Sequence, residues 1–208
     1  MAADFRLERT GPQPVCGIDE AGRGPLAGPV VAAAVILDPA TVPQGLADSK
    51  TLSGPRRETL AAQISAVGSV GVGIAEPEEI DRLNILQATL AAMTRAVTAL
   101  PVQPARALVD GNRAPSLPCA VQTVIKGDAK SASIAAASII AKTLRDALMA
   151  EADARWPGYG FAKHKGYPTA EHSTAVAQLG LCPIHRRRFR IPAAPSGSAD
   201  ISVGAGRR

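Results

Sequence analysis

Residues 15–29, Val-Cys-Gly-Ile-Asp-Glu-Ala-Gly-Arg-Gly-Pro-Leu-Ala-Gly-Pro, constrain the fold of this chain more than any other stretch. An apolar approach ends on two adjacent acids, Asp19 and Glu20. A turn rich in glycine and proline follows, and a second apolar run begins at residue 30. That order describes a strand, a turn and a return strand. Side chains alternate across a strand, so Asp19 and Glu20 point to opposite faces unless the chain bends there. With a bend, both can offer oxygens to hard metal ions, while Gly22-Arg23-Gly24 brings backbone N–H groups and a guanidinium to a phosphate. The combination points to phosphodiester chemistry.

The remaining sequence supplies a mixed α/β domain around that hairpin. Residues 30–37 form a buried strand, and 70–74 alternate as another. Residues 107–110 deliver Asp110 into a turn, and 120–125 end at Lys126-Gly127-Asp128. Helices are expected over 55–67 (Ser53 as cap, Pro55 in the first turn), 85–100, 131–155 and 169–179. With 208 residues the chain builds one buried domain, and at 3% aromatics its core must come from Ala, Val, Leu and Ile. Residues 1–14 read as a flexible start and 192–208, rich in Pro, Ala, Ser and Gly, as a disordered tail.

Asp19, Glu20, Asp110 and Asp128 each sit where a strand, or the loop after it, meets a turn or a helix start. Asp128 by itself would serve as a helix cap, and Asp110-Gly111 by itself as a turn. If the four share one sheet edge, they cannot all stay ionised unless divalent cations neutralise them or their pKa values rise. Mg²⁺ or Mn²⁺ suits such oxygen ligands, and a pair of ions would activate water and brace a scissile phosphate. The glycines at 22, 24 and 28 fit a dinucleotide loop poorly, because Pro25 and Pro29 interrupt the helix opening and acids precede the turn. No GxxxxGK[ST] loop occurs.

Charge is uneven. Residues 1–160 hold 15 Lys/Arg against 16 Asp/Glu, whereas residues 161–208 hold 8 against 2. Nucleic acid suits such a basic quarter. Within it, Lys163-His164-Lys165-Gly166-Tyr167-Pro168-Thr169 pairs lysines with an aromatic that can stack on a sugar or base, and His185 to Arg190 adds a basic run. His164, His172 and His185 lack metal-ligand spacing. Cys16, Cys119 and Cys182 form neither a disulfide framework nor a CxxC pair. No apolar stretch reaches membrane-spanning length and the start is unlike a signal peptide, so a cytoplasmic chain is expected.

The chain resembles the type 2 ribonucleases H, the ribonuclease HII family. The matching segments are Gly17 to Pro25, Asp48-Ser49-Lys50, Leu83-Asn84-Ile85, Asp110-Gly111-Asn112, Lys126-Gly127-Asp128 running into Ser133 to Lys142, Lys165 to Thr169, and His185-Arg186-Arg187. They occur in the family's order across residues 15–190. The resemblance implies a ribonuclease H-like α/β fold: a central mixed five-stranded sheet flanked by helices, with a helical C-terminal extension over about 155–191. It implies endonucleolytic hydrolysis of RNA in RNA–DNA hybrids and incision 5′ of ribonucleotides embedded in duplex DNA, leaving 3′-hydroxyl and 5′-phosphate ends. Asp19, Glu20, Asp110 and Asp128 match the family's metal-binding catalytic carboxylates, served by Mn²⁺ or Mg²⁺ in a two-metal mechanism. Gly22, Arg23 and Gly24 match the loop that senses the ribose 2′-hydroxyl, and Tyr167 the tyrosine at the RNA–DNA junction. Lys50, Lys163, Lys165 and Arg186 are expected as further substrate contacts. Arg188 stands where relatives usually carry Ser. A monomer working on hybrid and ribonucleotide-containing duplex, with no membrane, is expected; protein partners, a replication-clamp contact included, are left unassigned. The rivals are a binding module that has lost catalysis, which the complete acid set disfavours, and a type 1 or type 3 ribonuclease H, which the Gly-Arg-Gly and Lys-Gly-Tyr-Pro-Thr segments disfavour.

Overall fold

The hairpin forms. In the computed structural model, which describes residues 3–46, 49–190 and 192–193, β1 (Val15–Ala21) runs antiparallel to β2 (Val30–Ile36). The sheet then grows on both sides: β3 (Ser69–Ala75) pairs antiparallel with β2, β4 (Arg106–Asp110) parallel with β1, and β5 (Ala120–Val124) parallel with β4. The order is β3-β2-β1-β4-β5, so β1 is central and its acids lie at the heart of a mixed five-stranded sheet.

Two helical layers cover it. The alternation of β2 sends Val30, Ala32 and Ala34 toward α3 (Ile85–Thr98), preceded by the short α2 (Pro77–Leu83). It sends Val31, Ala33 and Val35 toward α1 (Gly54–Val67) and α4 (Ala132–Arg155). Small side chains make the second layer close. A Cβ on Gly17 of β1 would overlap the backbone of Ser133 and Ile134, so only glycine lets the first turn of α4 lie directly on the central strand. That contact lays α4 along β1, on the face that carries Asp19.

The helix 85–100 of the sequence reading forms as α3, and Asn84 explains its start: at φ 73°, its side chain accepts from the N–H groups of Leu86 and Gln87 at 3.0 and 3.1 Å. α2 was not anticipated. Its seven residues are too few to show periodicity, and Asn84 separates it from α3. Ser53 occupies the cap position of α1 but makes no side-chain cap bond.

The flexible start is a correction. Glu8 is buried, and its Oε1 accepts from Ser131 Oγ at 2.6 Å and from the Ser133 N–H at 2.9 Å, at the N-terminus of α4. Buried Arg106 donates to the Leu7 carbonyl at 2.5 Å and to Thr10 Oγ1 at 3.2 Å. Residues 4–10 are therefore docked, because a carboxylate answers the positive end of a helix. Residues 194–208, most of the expected tail, lie outside the described residues, as do Ala47 and Asp48.

Beyond α4 the chain forms α5 (Phe161–His164) and α6 (Ala170–Leu179), packed with Ala27, Met149, Tyr159 and Cys182 into a satellite core. Among the described residues, no helix is long and apolar enough to cross a membrane.

Candidate active site

Strand alternation sends Asp19 and Glu20 to opposite faces, as the pleat requires. β1 ends one residue later, so both stand at its mouth. Asp19 lies on the α4 face, is 7% exposed, and its Oδ1 accepts the Glu20 N–H at 2.7 Å. Glu20 lies on the α3 face, where Arg23 Nη1 donates to its Oε1 at 3.2 Å. Asp110 ends the neighbouring parallel strand β4, and its Oδ1 accepts the N–H of Gly127 at 2.7 Å. Asp128 follows in a single 3-10 turn, Gly127–Ala129, entered through Lys126 at φ 55°. The cap of α4 is Ser131, whose Oγ accepts from the Ile134 N–H at 3.2 Å, so Asp128 is not needed for capping.

The acids sense one another. Burial pushes the Asp19 carboxyl well above the usual carboxylate range, and the negative charges of Glu20, Asp110 and Asp128 push it further. Burial also raises Glu20, opposed by Arg23. Among the described residues, no three His, Cys, Asp or Glu side chains close a ready-made cage round one ion. The four acids nevertheless offer a donor set that fits a hard divalent cation: all are carboxylate oxygens, and the most buried of them, Asp19, is held toward its neutral form by burial and by its neighbours' charge.

A cleft of about 460 Å³ opens from this end of β1. Asp19, Glu20 and Gly22-Arg23-Gly24 form one wall, and Tyr167 stands across from the glycine turn. A Cβ built on Gly24 would lie 3.7 Å from Tyr167 Cε1, so turn and ring face each other at van der Waals range. Asp110 lines an adjoining hollow that shares Glu20 and Arg23. Asp128 lines neither and reaches the cluster through its charge on Asp19.

The connection between β1 and β2 is longer than a tight hairpin turn, and Arg186 holds it from within. Its Nη2 donates to the carbonyls of Gly22 and Gly28 (2.5 and 2.7 Å), Nη1 to Arg23 and Pro25 (3.0 and 2.8 Å), and Nε to Gly28 (3.0 Å). Arg145 adds bonds to the carbonyls of Pro29, Ala27 and Lys165. Gly22 sits at φ 100°, and a side chain there would strike Arg145. Burial lowers the Arg186 pKa to about 9, with Arg145 contributing.

Arg186 is thus a correction. It was expected to touch substrate, but it is fully buried and every nitrogen faces a backbone carbonyl. Lys163 is exposed and ion-paired with Glu171 at 2.8 Å, outside the cleft lining. Lys165 Nζ donates to the Asp146 carbonyl at 3.3 Å. Of the five expected basic contacts, Arg23 and Lys50 line the cleft, whereas Lys163, Lys165 and Arg186 do not. The other cations there come from outside the basic quarter: Arg57, Lys142 and Arg145. Asp146 holds two of them, accepting from Lys142 at 2.5 Å and Arg57 at 3.3 Å. Ser138, Lys142 and Arg145 recur every three or four residues along α4, a signal present in the sequence; Arg57 offered none. Arg188 is exposed, and its backbone N–H binds Asp81, as does that of Arg187.

The chain is similar to proteins of known family. The family model for Ribonuclease HII matches residues 16–191. A Ribonuclease HII from Maricaulis maris (strain MCS10) is 60% identical over 194 residues, covering 93% of this chain and 88% of the relative. The crystal structure of the ribonuclease H2 from Pyrococcus horikoshii OT3 superposes with a TM-score of 0.73 at 28% identity, covering 85% of this chain and 94% of that one. Bst-RNase HIII, solved in complex with Mn²⁺, shares the fold at 21% identity and a TM-score of 0.62, over 80% of this chain and 62% of its own.

Proposed function

The chain belongs to the ribonuclease HII family, and from that premise we propose that Asp19, Glu20, Asp110 and Asp128 form the metal-holding catalytic cluster and that Gly22-Arg23-Gly24 with Tyr167 reads the ribose. The enzyme is a ribonuclease H, a divalent-metal-dependent endoribonuclease acting on RNA in RNA–DNA hybrids. Beyond that, the proposal assigns incision on the 5′ side of ribonucleotides embedded in duplex DNA, with 3′-hydroxyl and 5′-phosphate products. It takes Mg²⁺ or Mn²⁺ as the metal and a cytoplasmic monomer as the working form. It takes residues 1–191 as the catalytic domain, with 155–191 as its substrate-facing helical part.

The observation that carries the reading is the shared mouth: Asp19, the most buried acid, raised by burial and by the charge of three other acids, lines the same cleft as the glycine turn and the tyrosine. When bound, the divalent ions would supply an activated water and charge neutralisation at the scissile phosphate and leaving oxygen. The chain's own groups do the rest. A single ribose in DNA differs by its 2′-hydroxyl, and the backbone groups of Gly22 to Gly24 can hydrogen-bond that hydroxyl where no side chain intervenes. Tyr167 stacks on the sugar or base one step away and holds the strand against the turn. Arg23, placed at Glu20, and Lys50, Arg57 and Lys142 lining the same cleft bind backbone phosphates. Of the expected contacts, Lys163 and Lys165 are retained only as outer phosphate contacts, and Arg186 as the residue that shapes the turn.

The test is the acid set. Asp110→Asn and Asp128→Asn are expected to stay folded and to lose at least about 100-fold of hybrid cleavage. Near wild-type turnover by both purified variants would overturn the assignment.

A further inference from the structure

Behind Tyr167, outside the lining of the cleft, three histidines from within residues 164–185 meet. His164, His172 and His185 are all buried. The rings of His164 and His172 stack at 4.5 Å, and Nε2 of His172 lies 3.0 Å from Nε2 of His185.

Their hydrogen bonds fix each tautomer. The Tyr167 carbonyl can only accept, so His172 Nδ1, 3.0 Å away, carries the proton. Neutral His172 then accepts at Nε2, which makes His185 Nε2 the donor. That leaves His185 Nδ1 as an acceptor: the Cys182 N–H donates to it at 3.0 Å, and the Cys182 carbonyl, at the longer distance of 3.3 Å, receives no proton from it. The chain is consistent from both ends: Cys182 N–H to His185, His185 to His172, His172 to the Tyr167 carbonyl. His164 obeys the same logic, accepting the Gly166 N–H at Nδ1 (3.1 Å) and donating from Nε2 to the Tyr159 carbonyl (2.7 Å). Three buried imidazoles are a costly way to fill space that Leu or Phe would fill without polar atoms. What these imidazoles hold is the backbone of Gly166 and Tyr167, the segment that reaches the cleft. Gly166 in turn accepts the Leu26 N–H at 2.8 Å, so the same strap presses on the β1–β2 connection.

We propose that His172, oriented by His185 and flanked by His164, is a positioning residue for Tyr167: it sets the ring against Gly24 and thereby sets the preference for a ribonucleotide embedded in DNA over a continuous RNA–DNA hybrid. This rests on the ribose-reading role assigned above to the turn and Tyr167. The thiol of Cys182, 3.1 Å from His185 Nδ1, and the rings of Tyr159 and Phe161 complete the surroundings of the relay.

The test compares kcat/KM on a duplex with one ribonucleotide against kcat/KM on a hybrid, for the wild type and for His172→Asn, His172→Gln and His172→Leu. The Asn amide nitrogen falls where Nδ1 was and keeps the donor to Tyr167; Gln and Leu do not. The ratio is expected to stay within about twofold for Asn and to fall at least about fivefold for Gln and Leu. A role in packing alone would rank the variants by volume and stability and leave the ratio unchanged, which would overturn the proposal. Nitrogen NMR of the wild-type histidines provides a check that no folding defect can obscure: Nδ1–H is expected on His172 and Nε2–H on His185, and the opposite tautomers would overturn it. A wild type with no preference for the embedded ribonucleotide would instead contradict the underlying reading of Tyr167, so the two failures are distinct.

Discussion

Arg186 donates through Nη2 to the carbonyl oxygen of Gly22 at 2.5 Å, across 164 residues of sequence. The ribose-reading turn is therefore built by a residue near the other end of the domain. The bond pattern is the fork geometry of a guanidinium, which a lysine ammonium cannot reproduce.

Arg186→Lys is therefore expected to lower stability by about 2–4 kcal/mol in urea unfolding, since it leaves buried carbonyls without donors. Cleavage of an embedded ribonucleotide should fall with it. The salt dependence of duplex binding should not change, because Arg186 touches no phosphate; Lys50→Ala should reduce that slope by about one. An Arg186 variant with wild-type stability and a reduced slope would restore the direct-contact reading.

Asp19→Asn separates chemistry from stability. Its carboxyl is buried and surrounded by negative charge, so the ionised form is unfavourable in the metal-free protein. The variant should lose activity yet match or exceed the wild type in Tm under chelator. Added Mg²⁺ or Mn²⁺ should raise the wild-type Tm more than that of the variant. Thermal melts with and without metal read both effects.

The histidine relay predicts an acid-sensitive fold. Burial, reinforced by His172, lowers the His185 pKa from its usual 6.5 to about 4. The folded protein then binds fewer protons than the unfolded chain between those values, so this contribution to stability is lost as pH falls from 6.5 toward 4. By linkage the effect reaches about 2 kcal/mol at pH 5. Asp19 and Glu20, raised rather than lowered, act in the opposite direction, so the comparison is made against His185→Gln. The wild type should lose about 2 kcal/mol more than this variant between pH 7.5 and 5. Parallel losses in urea titrations would contradict it.

What could be read in the sequence was what is local. The strand that ends on Asp19 and Glu20 and the strand that ends on Asp110 each announce themselves by an apolar run closing on a turn, and both form. Thr169 and Ser131 were legible as starts of their helices, and their side chains do accept from the first-turn N–H groups of His172 and Ile134. Tertiary choices were not legible. Arginine in a basic run reads as exposed, and nothing near Arg186 says that the carbonyls of residues 22–28 will enclose it. The three histidines have no ligand-like spacing, because α5, α6 and the segment after them bring the rings together only on packing. Glu8 looked like part of a frayed start because its partner, the N-terminus of α4, lies more than a hundred residues away.

The central claim is that metal-dependent cutting and recognition of one ribose occur in the same cleft. The most direct measurement incubates the purified protein with an end-labelled DNA duplex carrying a single ribonucleotide, in Mg²⁺, Mn²⁺ or chelator, beside an all-DNA duplex of the same sequence. The account predicts one metal-dependent incision on the 5′ side of the ribonucleotide and an intact all-DNA control. Cleavage that survives chelation, or equal cleavage of both duplexes, would contradict it.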